Sequence, residues 1–261
     1  VKQKRTVVSS SLVNKNGKYE IDFEDLEKKL SDVRTKVMIL CNPQNPTGRV
    51  FTRDELQRIG ELCLKYHVFV LSDEIHSDVV YSGHKHIPFA AVDPRFGDIC
   101  CISINPSKTF NTAGLRTAAF ICPNPHNKAM ILEERLNNKA FGRPIFGQLA
   151  MKVLYNECGY YADQFVAYVE ENVKVFREGL LGAKGLHLIE PEGTYLLWVD
   201  CRELGMPHEE LMRFFREKVK VLPNEGSTFG YEGEGFLRFN VACPRSTVLE
   251  AVKRIQQATR A

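Results

Sequence analysis

The sequence predicts an α/β protein, with a large domain built on a mostly parallel sheet and a smaller α+β domain after it. Three apolar runs occupy residues 36–41, 68–71 and 99–104, and a helical pattern separates the first two. A strand, a helix and a strand in this order predict a right-handed parallel βαβ unit. Short strands and helices follow a long helical pattern in the second half. We therefore predict domains over residues 1–159 and 160–261.

Composition narrows the class of protein. The chain has 261 residues, of which 44% are hydrophobic and 26% charged, and its net charge is +3. A charge this small and scattered argues against nucleic-acid or membrane partners, and no apolar run reaches the length of a membrane span. Eight cysteines lack CxxC pairing and lie mostly in apolar segments, which predicts reduced thiols and a cytoplasmic location. The seven histidines show no metal-ligand spacing, so no metal site is expected.

The first elements are short. The run Val1–Lys4 leads into Arg5–Leu12, which is β-branched and apolar and predicts a strand. The turn-forming residues Asn14–Lys18 follow. A short helix is expected to begin at or near Asp22, because apolar residues recur after it at helical spacing. These apolar residues are Phe23, Leu26 and Leu30.

The predicted βαβ unit comes next. Lys36–Cys41 is nearly continuous in apolar residues, as expected of a buried parallel strand, and leads into the turn-rich loop Asn42–Gly48. Thr52 and Glu55 form a capping-box sequence that predicts a helix start. The next buried strand is Val68–Leu71, which ends at Ser-Asp-Glu.

A lysine follows the third predicted strand, Ile99–Ile104. Lys108 lies among small and turn-forming residues in Asn105–Arg116, and a further apolar run, Thr117–Cys122, comes directly after. A lysine amine held in such a place can condense with an aldehyde to form a Schiff base. The alternative is that Lys108 is an ordinary solvated surface charge. Residues elsewhere in the chain are needed to distinguish these two interpretations.

The second half is predicted to be helical first and mixed afterwards. Helices are expected from Asn124 or Pro125 to about Asn138, from about Pro144 to Cys158, and from Tyr160 to about Leu181. The remaining elements are predicted strands at Leu186–Ile189, Thr194–Val199, Val219–Leu222 and Phe236–Val241, with helices at Pro207–Lys218 and from Pro244 onward.

Polar residues converge at one edge of the predicted sheet. Asn45, Asp73 and Lys108 each lie just past the carboxyl end of a strand, where ligands bind in parallel sheets. A pyridoxal phosphate enzyme needs a lysine for the aldehyde, a carboxylate for the pyridine nitrogen and a neutral donor for the ring oxygen. It also needs groups for the phosphate and an arginine for the substrate carboxylate. The sequence offers Lys108, Asp73, Asn45, Ser107 with Arg116, and Arg238 for these roles.

Each assignment has a structural alternative. Asp73-Glu74 after an apolar strand also fits a Walker B carboxylate, but the chain contains no GxxxxGK[ST] motif. Asn45 alone is an ordinary turn residue, and His76 is equally compatible with a hydrogen-bonded core histidine. Arg238 lies inside an apolar strand, where a buried arginine requires an anionic partner.

Four ordered motifs make the chain resemble a known family. They are Asn42–Gly48 (NPQNPTG), Ser72–Asp78 (SDEIHSD), Pro106–Asn111 (PSKTFN) and Phe236–Arg245 (FLRFNVACPR). The chain resembles the fold-type I, pyridoxal-phosphate-dependent class I/II aminotransferases over essentially its whole length. His76 and the segment His84–Phe89 are similar to the cystathionine β-lyase (C–S lyase) subgroup, which includes a maltose-regulator type.

The resemblance implies a cofactor, a substrate class and site roles. It implies pyridoxal 5'-phosphate, an amino-acid substrate and a homodimer. Lys108 is implied to hold the cofactor and to move the Cα proton. His76 stands where most aminotransferases have a tyrosine that serves the ring oxygen. Arg238 is implied to bind the substrate carboxylate, and Arg116 is similar to a phosphate-binding arginine, although the lyase subgroup varies there.

Two departures qualify the resemblance. Asn105 stands where the family usually has Ser or Gly, which affects one phosphate contact. The family also begins well before residue 1 of this chain, in a part that holds the phosphate loop, the ring-stacking aromatic and a tyrosine lent by the partner subunit. We therefore expect a cleaved or truncated chain.

The sequence favours C–S β-elimination and leaves two alternatives. The favoured reaction converts cystathionine or cysteine to pyruvate, ammonia and a thiol. Transamination of a 2-oxo acid uses the same residues and is the first alternative. The second is a regulatory binding protein that keeps the fold and acts through protein contacts.

Overall fold

A computed structural model describes residues 5–140, 142 and 144–259. The strands are β1 Leu12–Lys15, β2 Lys18–Ile21, β3 Val37–Cys41, β4 Phe69–Asp73, β5 Cys100–Ile104, β6 Ala119–Ile121, β7 His187–Leu188, β8 Leu196–Asp200, β9 Asn224–Glu225 and β10 Phe236–Asn240. The α-helices are α1 Phe23–Leu30, α2 Arg53–Lys65, α3 Pro106–Thr109, α4 Pro125–Asn137, α5 Ile145–Glu157, α6 Gly159–Leu180, α7 His208–Arg213 and α8 Arg245–Thr259.

The first half is organised around a four-stranded sheet in the order β3-β4-β5-β6. Strands β3, β4 and β5 are parallel, whereas β6 runs antiparallel to β5. The register aligns Cys41 with Asp73 and Asp73 with Ser103, so the carboxyl ends of the three parallel strands lie level. The expected mostly parallel α/β sheet is confirmed.

Helix α2 begins as the sequence predicts. The Thr52 side chain accepts from the Glu55 backbone N–H, and the Glu55 side chain accepts from the Thr52 backbone N–H. This capping box satisfies donors that a helix start leaves unpaired. The helix then packs its apolar face on the sheet through Leu56, Ile59 and Cys63, none of which is exposed. The predicted βαβ unit is therefore present.

The expectation that the first parallel strand is buried is wrong. Strand β3 is the edge strand of the sheet, and Ile39 is 74% exposed while Leu40 is 4% exposed. One face of β3 packs in the core cluster with α1 and α2, whereas the other face is uncovered by the described residues. A continuous apolar run indicates which residues favour burial. It does not indicate whether other elements cover both faces of the strand.

The expectation at the amino-terminal end is also wrong. Residues 5–11 are not in a strand, and the strand forms instead at Leu12–Lys15, antiparallel to β2. The turn is narrower than expected, because Asn16 and Gly17 alone connect the two strands with positive φ. β-branched residues favour an extended chain, but a strand also needs a hydrogen-bonding partner. The opening run Val1–Lys4 lies outside the described residues.

The second half contains a four-stranded antiparallel sheet in the order β7-β8-β10-β9. Its core cluster includes Val173 and Phe176 of α6, Phe239 of β10, and Val252 of α8. The predicted strand Val219–Leu222 is wrong. A π-helical segment from Phe214 ends at Val219, and Lys220 then adopts a left-handed conformation before the short strand β9.

The loop at Gly48 is one of the places where the two halves meet. The backbone N–H groups of Glu192 and Gly193 both donate to the Gly48 carbonyl, at 2.9 and 3.0 Å. Val80 and Gly193 form an isolated β-bridge beside this contact. The division at 159/160 stays a prediction.

Two sequence expectations concern membrane-spanning helices and the state of the cysteines. Among the helices that the structure describes, none is long and apolar enough to cross a membrane. All eight cysteines fall within the described ranges and have free thiols, with Cys63, Cys100, Cys101 and Cys201 buried.

Candidate active site

Asp73 ends strand β4 at the centre of the sheet edge. The Ser103 hydroxyl donates to Asp73 Oδ1 over 2.9 Å, and the Asn42 backbone N–H donates to the Asp73 carbonyl over 3.0 Å. The side chain is half-buried. Among the described residues, no lysine, arginine or histidine forms an ion pair with it, so the carboxylate is available to a cationic group from outside the chain.

Lys108 lies on the single helical turn α3, directly after strand β5. The Asn105 side chain caps this turn by accepting from the Ser107 backbone N–H over 2.7 Å. The Thr109 hydroxyl donates to Asp78 Oδ2 over 2.8 Å and so holds the turn from its other end. Lys108 is half-buried and has no hydrogen bond or ion pair within the described part of the chain. The amine is therefore held close to the sheet and left unpaired.

His76 is a buried residue with an unsatisfied nitrogen. It is 2% exposed, and its Nδ1 atom has no hydrogen-bond partner among the residues described. The ring stands edge-on to Tyr195, with centroids 5.6 Å apart. Burial, with the positive charges of Lys108 and Arg238, lowers the pKa of His76 to about 4. With this lowered pKa the ring is neutral near pH 7.

Arg238 reaches from β10 of the second half to the loop of the first half. Its Nη1 donates to Asn45 Oδ1 over 3.0 Å and its Nη2 donates to Asn224 Oδ1 over 2.7 Å. The guanidinium carbon lies 4.6 Å from the centroid of the Phe229 ring. Burial lowers the pKa of Arg238, and its Nε is buried without a partner in the described chain.

The surroundings of Arg238 leave room for an anion. No carboxylate of the described residues pairs with it, although a buried guanidinium requires negative charge. Arginine has no acceptor, so the atom of Asn45 that faces it must be the amide oxygen. The Nδ2 group of Asn45 is then the free donor.

The predicted phosphate contacts are less complete. Ser107 is half-buried on α3, whereas Arg116 is exposed and adopts a left-handed conformation with φ of 46°. Neither side chain makes a hydrogen bond within the described ranges. The amide oxygen of Asn105 is used in capping, so this departure from the family serves the local helix. The structure does not bring Arg116 into contact with the other predicted residues.

The donor set fits pyridoxal phosphate. Asp73 offers an unpaired carboxylate for a protonated ring nitrogen, Lys108 an unpaired amine for an aldehyde, and Asn45 a free amide donor for a ring oxygen. Two more polar atoms, His76 Nδ1 and Arg238 Nε, are buried without a hydrogen-bond partner among the described residues. The site residues at the sheet edge therefore match the ring and carboxylate portions of a cofactor–substrate pair.

Three further residues shape the site without having been predicted. Ser103 faces Asp73 because the two residues are paired in the register of β4 and β5. This register cannot be predicted from the sequence alone. Tyr195 reaches His76 by packing of the second half on the first, and Asn224 reaches Arg238 as its neighbour across β9 and β10. No local pattern in the sequence indicates these two contacts.

Similarity to known proteins covers nearly the whole chain. Residues 2–255 match the family described as aminotransferase class I and II. The chain is 39% identical over 259 residues to the cystathionine beta-lyase PatB of Bacillus subtilis, covering 98% of this chain and 67% of that protein. It is 33% identical over 259 residues to Protein MalY of Escherichia coli, covering 98% of this chain and 66% of that protein.

A solved structure is similar as well. Cystalysin from Treponema denticola, whose crystal structure contains a pyridoxal 5'-phosphate cofactor, matches with a TM-score of 0.96 at 33% identity. The match covers 99% of this chain and 66% of that one. The expected type I fold is thus confirmed. The chain spans about two thirds of the length of each of these three relatives.

Proposed function

Because the chain belongs to the class I and II aminotransferase family, we propose that it is a pyridoxal-phosphate-dependent C–S β-lyase. Its substrates are cystathionine or cysteine, and its products are pyruvate, ammonia and a thiol. One observation carries the proposal: Asp73, Lys108 and Arg238 have no ion-pair partner within the described chain. Asp73 and Lys108 follow neighbouring parallel strands, and Arg238 is hydrogen-bonded to Asn45 of the adjoining loop. Such a site is complete only when a charged molecule occupies it.

Five residues of the first half would hold the cofactor in this proposal. When bound, pyridoxal phosphate supplies an electron-withdrawing ring that stabilises negative charge at the substrate Cα. Lys108 would hold the aldehyde group, and Asp73, oriented by the Ser103 hydroxyl, would favour the protonated ring nitrogen. Asn45 would offer its Nδ2 group to the ring oxygen. Ser107, and Arg116 from an exposed position without contact to the other site residues, are the candidates for the phosphate.

Arg238 would bind the substrate and Lys108 would deprotonate it. The guanidinium of Arg238, anchored by Asn45 and Asn224, would bind the substrate carboxylate. Lys108, as a neutral amine, would take the Cα proton. The Cβ–S bond then breaks with its electron pair going to sulfur, the thiolate takes up a proton, and water hydrolyses the remaining enamine to pyruvate and ammonia. Neutral His76 would offer a hydrogen bond to the ring oxygen without adding positive charge.

The choice of β-elimination rests on the relatives. The 39% identical relative is named a cystathionine beta-lyase, and this supports the same reaction here. Transamination is the alternative, since it uses the same lysine, carboxylate and arginine. The two reactions differ in where the Cα proton and the amino group finish, which depends on the occupied site. A regulatory role through protein contacts is compatible with either reaction.

Assembly and location belong to the same proposal. A homodimer is supported by the large apolar side chains exposed on α5, where Ile145 and Phe146 are 79% and 78% exposed. A cytoplasmic location is supported by the eight free thiols. Light scattering at several protein concentrations would report the mass of the assembly.

The reaction is tested by incubating the chain with pyridoxal phosphate and L-cystathionine, without a 2-oxo acid. Pyruvate and free thiol in equal amounts support the lyase. If turnover occurs only after 2-oxoglutarate is added, and glutamate forms, the protein is an aminotransferase and the lyase proposal is wrong.

The cofactor is tested separately by borohydride reduction and peptide mapping. A single phosphopyridoxyl adduct on Lys108 is expected. Label spread over exposed lysines would contradict the assignment of Lys108. Repeating the reduction on a longer form of the protein would then show whether residues outside this chain are needed for binding.

A further inference from the structure

A buried arginine lies beside the candidate site and is absent from the roles assigned above. Arg49 is 3% exposed, and two carboxylates share its guanidinium. Its Nε donates to Glu192 Oε2 over 3.0 Å, and its Nη2 donates to both oxygens of Glu55 over 2.9 Å. Its Nη1 donates to the Tyr19 carbonyl. All three nitrogens of the guanidinium therefore donate hydrogen bonds, which fixes the residue in one orientation.

The partners of Arg49 come from separate elements. Glu55 lies in the first turn of α2, Tyr19 lies in β2, and Glu192 belongs to the second half of the chain. Glu192 is 7% exposed and also accepts from the Val50 backbone N–H over 2.8 Å. Its other oxygen lies 3.2 Å from Lys18 Nζ. The Arg49 guanidinium thus joins β2, the first turn of α2 and the second half of the chain.

The joined loop is the one that carries Asn45. Gln44 and Gly48 close it by two backbone hydrogen bonds, from Gln44 N to Arg49 O over 2.7 Å and from Gly48 N to Gln44 O over 2.8 Å. The Gly48 carbonyl accepts from the N–H groups of Glu192 and Gly193. Arg49 therefore ends a short loop. The contacts of Gly48 and Arg49 with the second half set the position of this loop.

Asn45 in turn contacts Arg238, which belongs to the second half. The distance between the loop and β10 must be held to within a few tenths of an ångström for this hydrogen bond to form. Residues 48–50 are joined to residues 190–194 by the backbone hydrogen bonds at Gly48, the hydrogen bond from the Val50 N–H to Glu192 and the Arg49–Glu192 ion pair. Buried ion pairs give little net stability compared with apolar packing, so stability alone is a weak reason for this cluster.

We propose that Arg49, through its ion pair with Glu192, is a positioning residue that sets the Asn45–Arg238 hydrogen bond and thereby the geometry of substrate-carboxylate binding. The proposal rests on the function assigned to Arg238. Arg49 itself touches neither cofactor nor substrate. Loosening the ion pair lets the loop and β10 separate, so Arg238 loses the anchor that directs its guanidinium.

The test uses Glu192→Gln and Arg49→Lys in the full chain. The Gln side chain keeps an acceptor for the Val50 N–H but loses the charge that faces Arg49. A lysine keeps the charge but cannot reach Glu192, Glu55 and the Tyr19 carbonyl together. The control is Glu61→Gln, which removes a carboxylate from an exposed ion pair with Arg95. Unfolding by urea first establishes that the variants fold.

The decisive kinetic measurement is the split between KM and kcat. We expect both variants to raise KM for the amino acid roughly tenfold, as for the loss of one charge-assisted hydrogen bond, with kcat changed less than about threefold. A purely structural role would instead lower the active fraction, and so kcat, at constant KM. That second result would overturn the proposal, as would a Glu61→Gln control that behaves like the two variants.

Hydrogen exchange gives a readout that does not depend on activity. The amides of Gly48, Glu192 and Gly193 are expected to exchange about tenfold faster in both variants, because their hydrogen bonds lie at the loosened contact. If the unmodified chain makes no pyruvate, the proposed lyase function fails, while the exchange rates still decide whether Arg49 holds the loop. Unchanged exchange at these amides would overturn the positioning role.

Discussion

Arg238 Nη1 lies 3.0 Å from Asn45 Oδ1, which joins two residues that are 193 positions apart in the chain. The residue proposed to bind the substrate carboxylate is therefore hydrogen-bonded to the residue proposed to bind the cofactor ring. A change in either side chain alters the orientation of the other. Effects of substitutions at the two positions should consequently not add.

Replacing Arg238 by lysine is expected to weaken substrate binding. Lysine keeps the charge but cannot donate to Asn45, Asn224 and a carboxylate in the fixed geometry of a guanidinium. We expect KM for L-cystathionine to rise roughly a hundredfold, the effect of losing one or two charged hydrogen bonds. The matched control is Arg213→Lys on the exposed side of α7, which should leave KM unchanged. An unaltered KM in Arg238→Lys would exclude a role in carboxylate binding.

Replacing Lys108 by alanine is expected to remove activity and leave stability intact. Lys108 has no hydrogen bond or ion pair within the described residues, so alanine removes no protein contact of its charged end. Pyruvate formation should fall by at least about a hundredfold, because both cofactor attachment and proton transfer use this amine. The urea midpoint should stay within error of the unmodified chain. Lys85→Ala, in an exposed loop, is the control and should retain full activity. Retained pyruvate formation in Lys108→Ala would refute the mechanism.

The sequence predicted the part of the site that depends on strand ends. Asp73 and Lys108 follow apolar runs that form neighbouring parallel strands, so their common edge follows from topology. The helix start at Thr52 follows from the capping box. These features are local, and each is specified by residues within a few positions of one another.

The parts that were not predicted depend on contacts between distant residues. Ile39 of β3 is exposed because coverage of a strand face depends on other elements. The Arg238–Asn224 hydrogen bond depends on the register of β10 with β9, and the His76–Tyr195 contact forms only after the second half has packed on the first. Residue type and spacing give no information about such pairs. A prediction from one sequence therefore identifies candidate side chains more readily than their neighbours.

Stability is expected to fall in mild acid because of His76. Burial and the charges of Lys108 and Arg238 lower its pKa from 6.5 to about 4, so between these values the unfolded chain binds more protons than the folded one. The contribution of His76 is present above pH 6.5 and is lost as the pH falls towards 4. Between pH 7.5 and 5.5 the free energy of unfolding should drop by about 1.3 kcal/mol from this residue.

The measurement is urea unfolding at these two pH values in the unmodified chain and in His76→Gln. Other titrating groups are common to both proteins, so the difference between their pH responses isolates His76. The variant should lose less stability on acidification. Equal losses in the two proteins would show that the pKa of His76 is not lowered in the folded state.

Alanine substitutions at two glycines with left-handed conformations distinguish backbone strain from a steric clash. Gly17, with φ of +86°, connects β1 and β2, and a Cβ atom there would have no neighbour within 4 Å. Gly48, with φ of +74°, would place its Cβ 2.8 Å from the Cβ of Pro191. Gly17→Ala should therefore cost about 1 kcal/mol of unfolding free energy from conformation alone. Gly48→Ala should cost about 1–3 kcal/mol more, because Pro191 or the loop has to move.

The same pair of variants also reports on the candidate site. The displacement in Gly48→Ala acts on the loop that carries Asn45, so the yield of the phosphopyridoxyl adduct on Lys108 should fall at subsaturating cofactor. Gly17→Ala should leave that yield unchanged, since a Cβ atom at Gly17 has no neighbour within 4 Å to displace. Equal stability losses in the two variants, measured by urea unfolding, would show that the loop tolerates a Cβ at Gly48. Residues 190–194 would then not constrain the position of Asn45 through this contact.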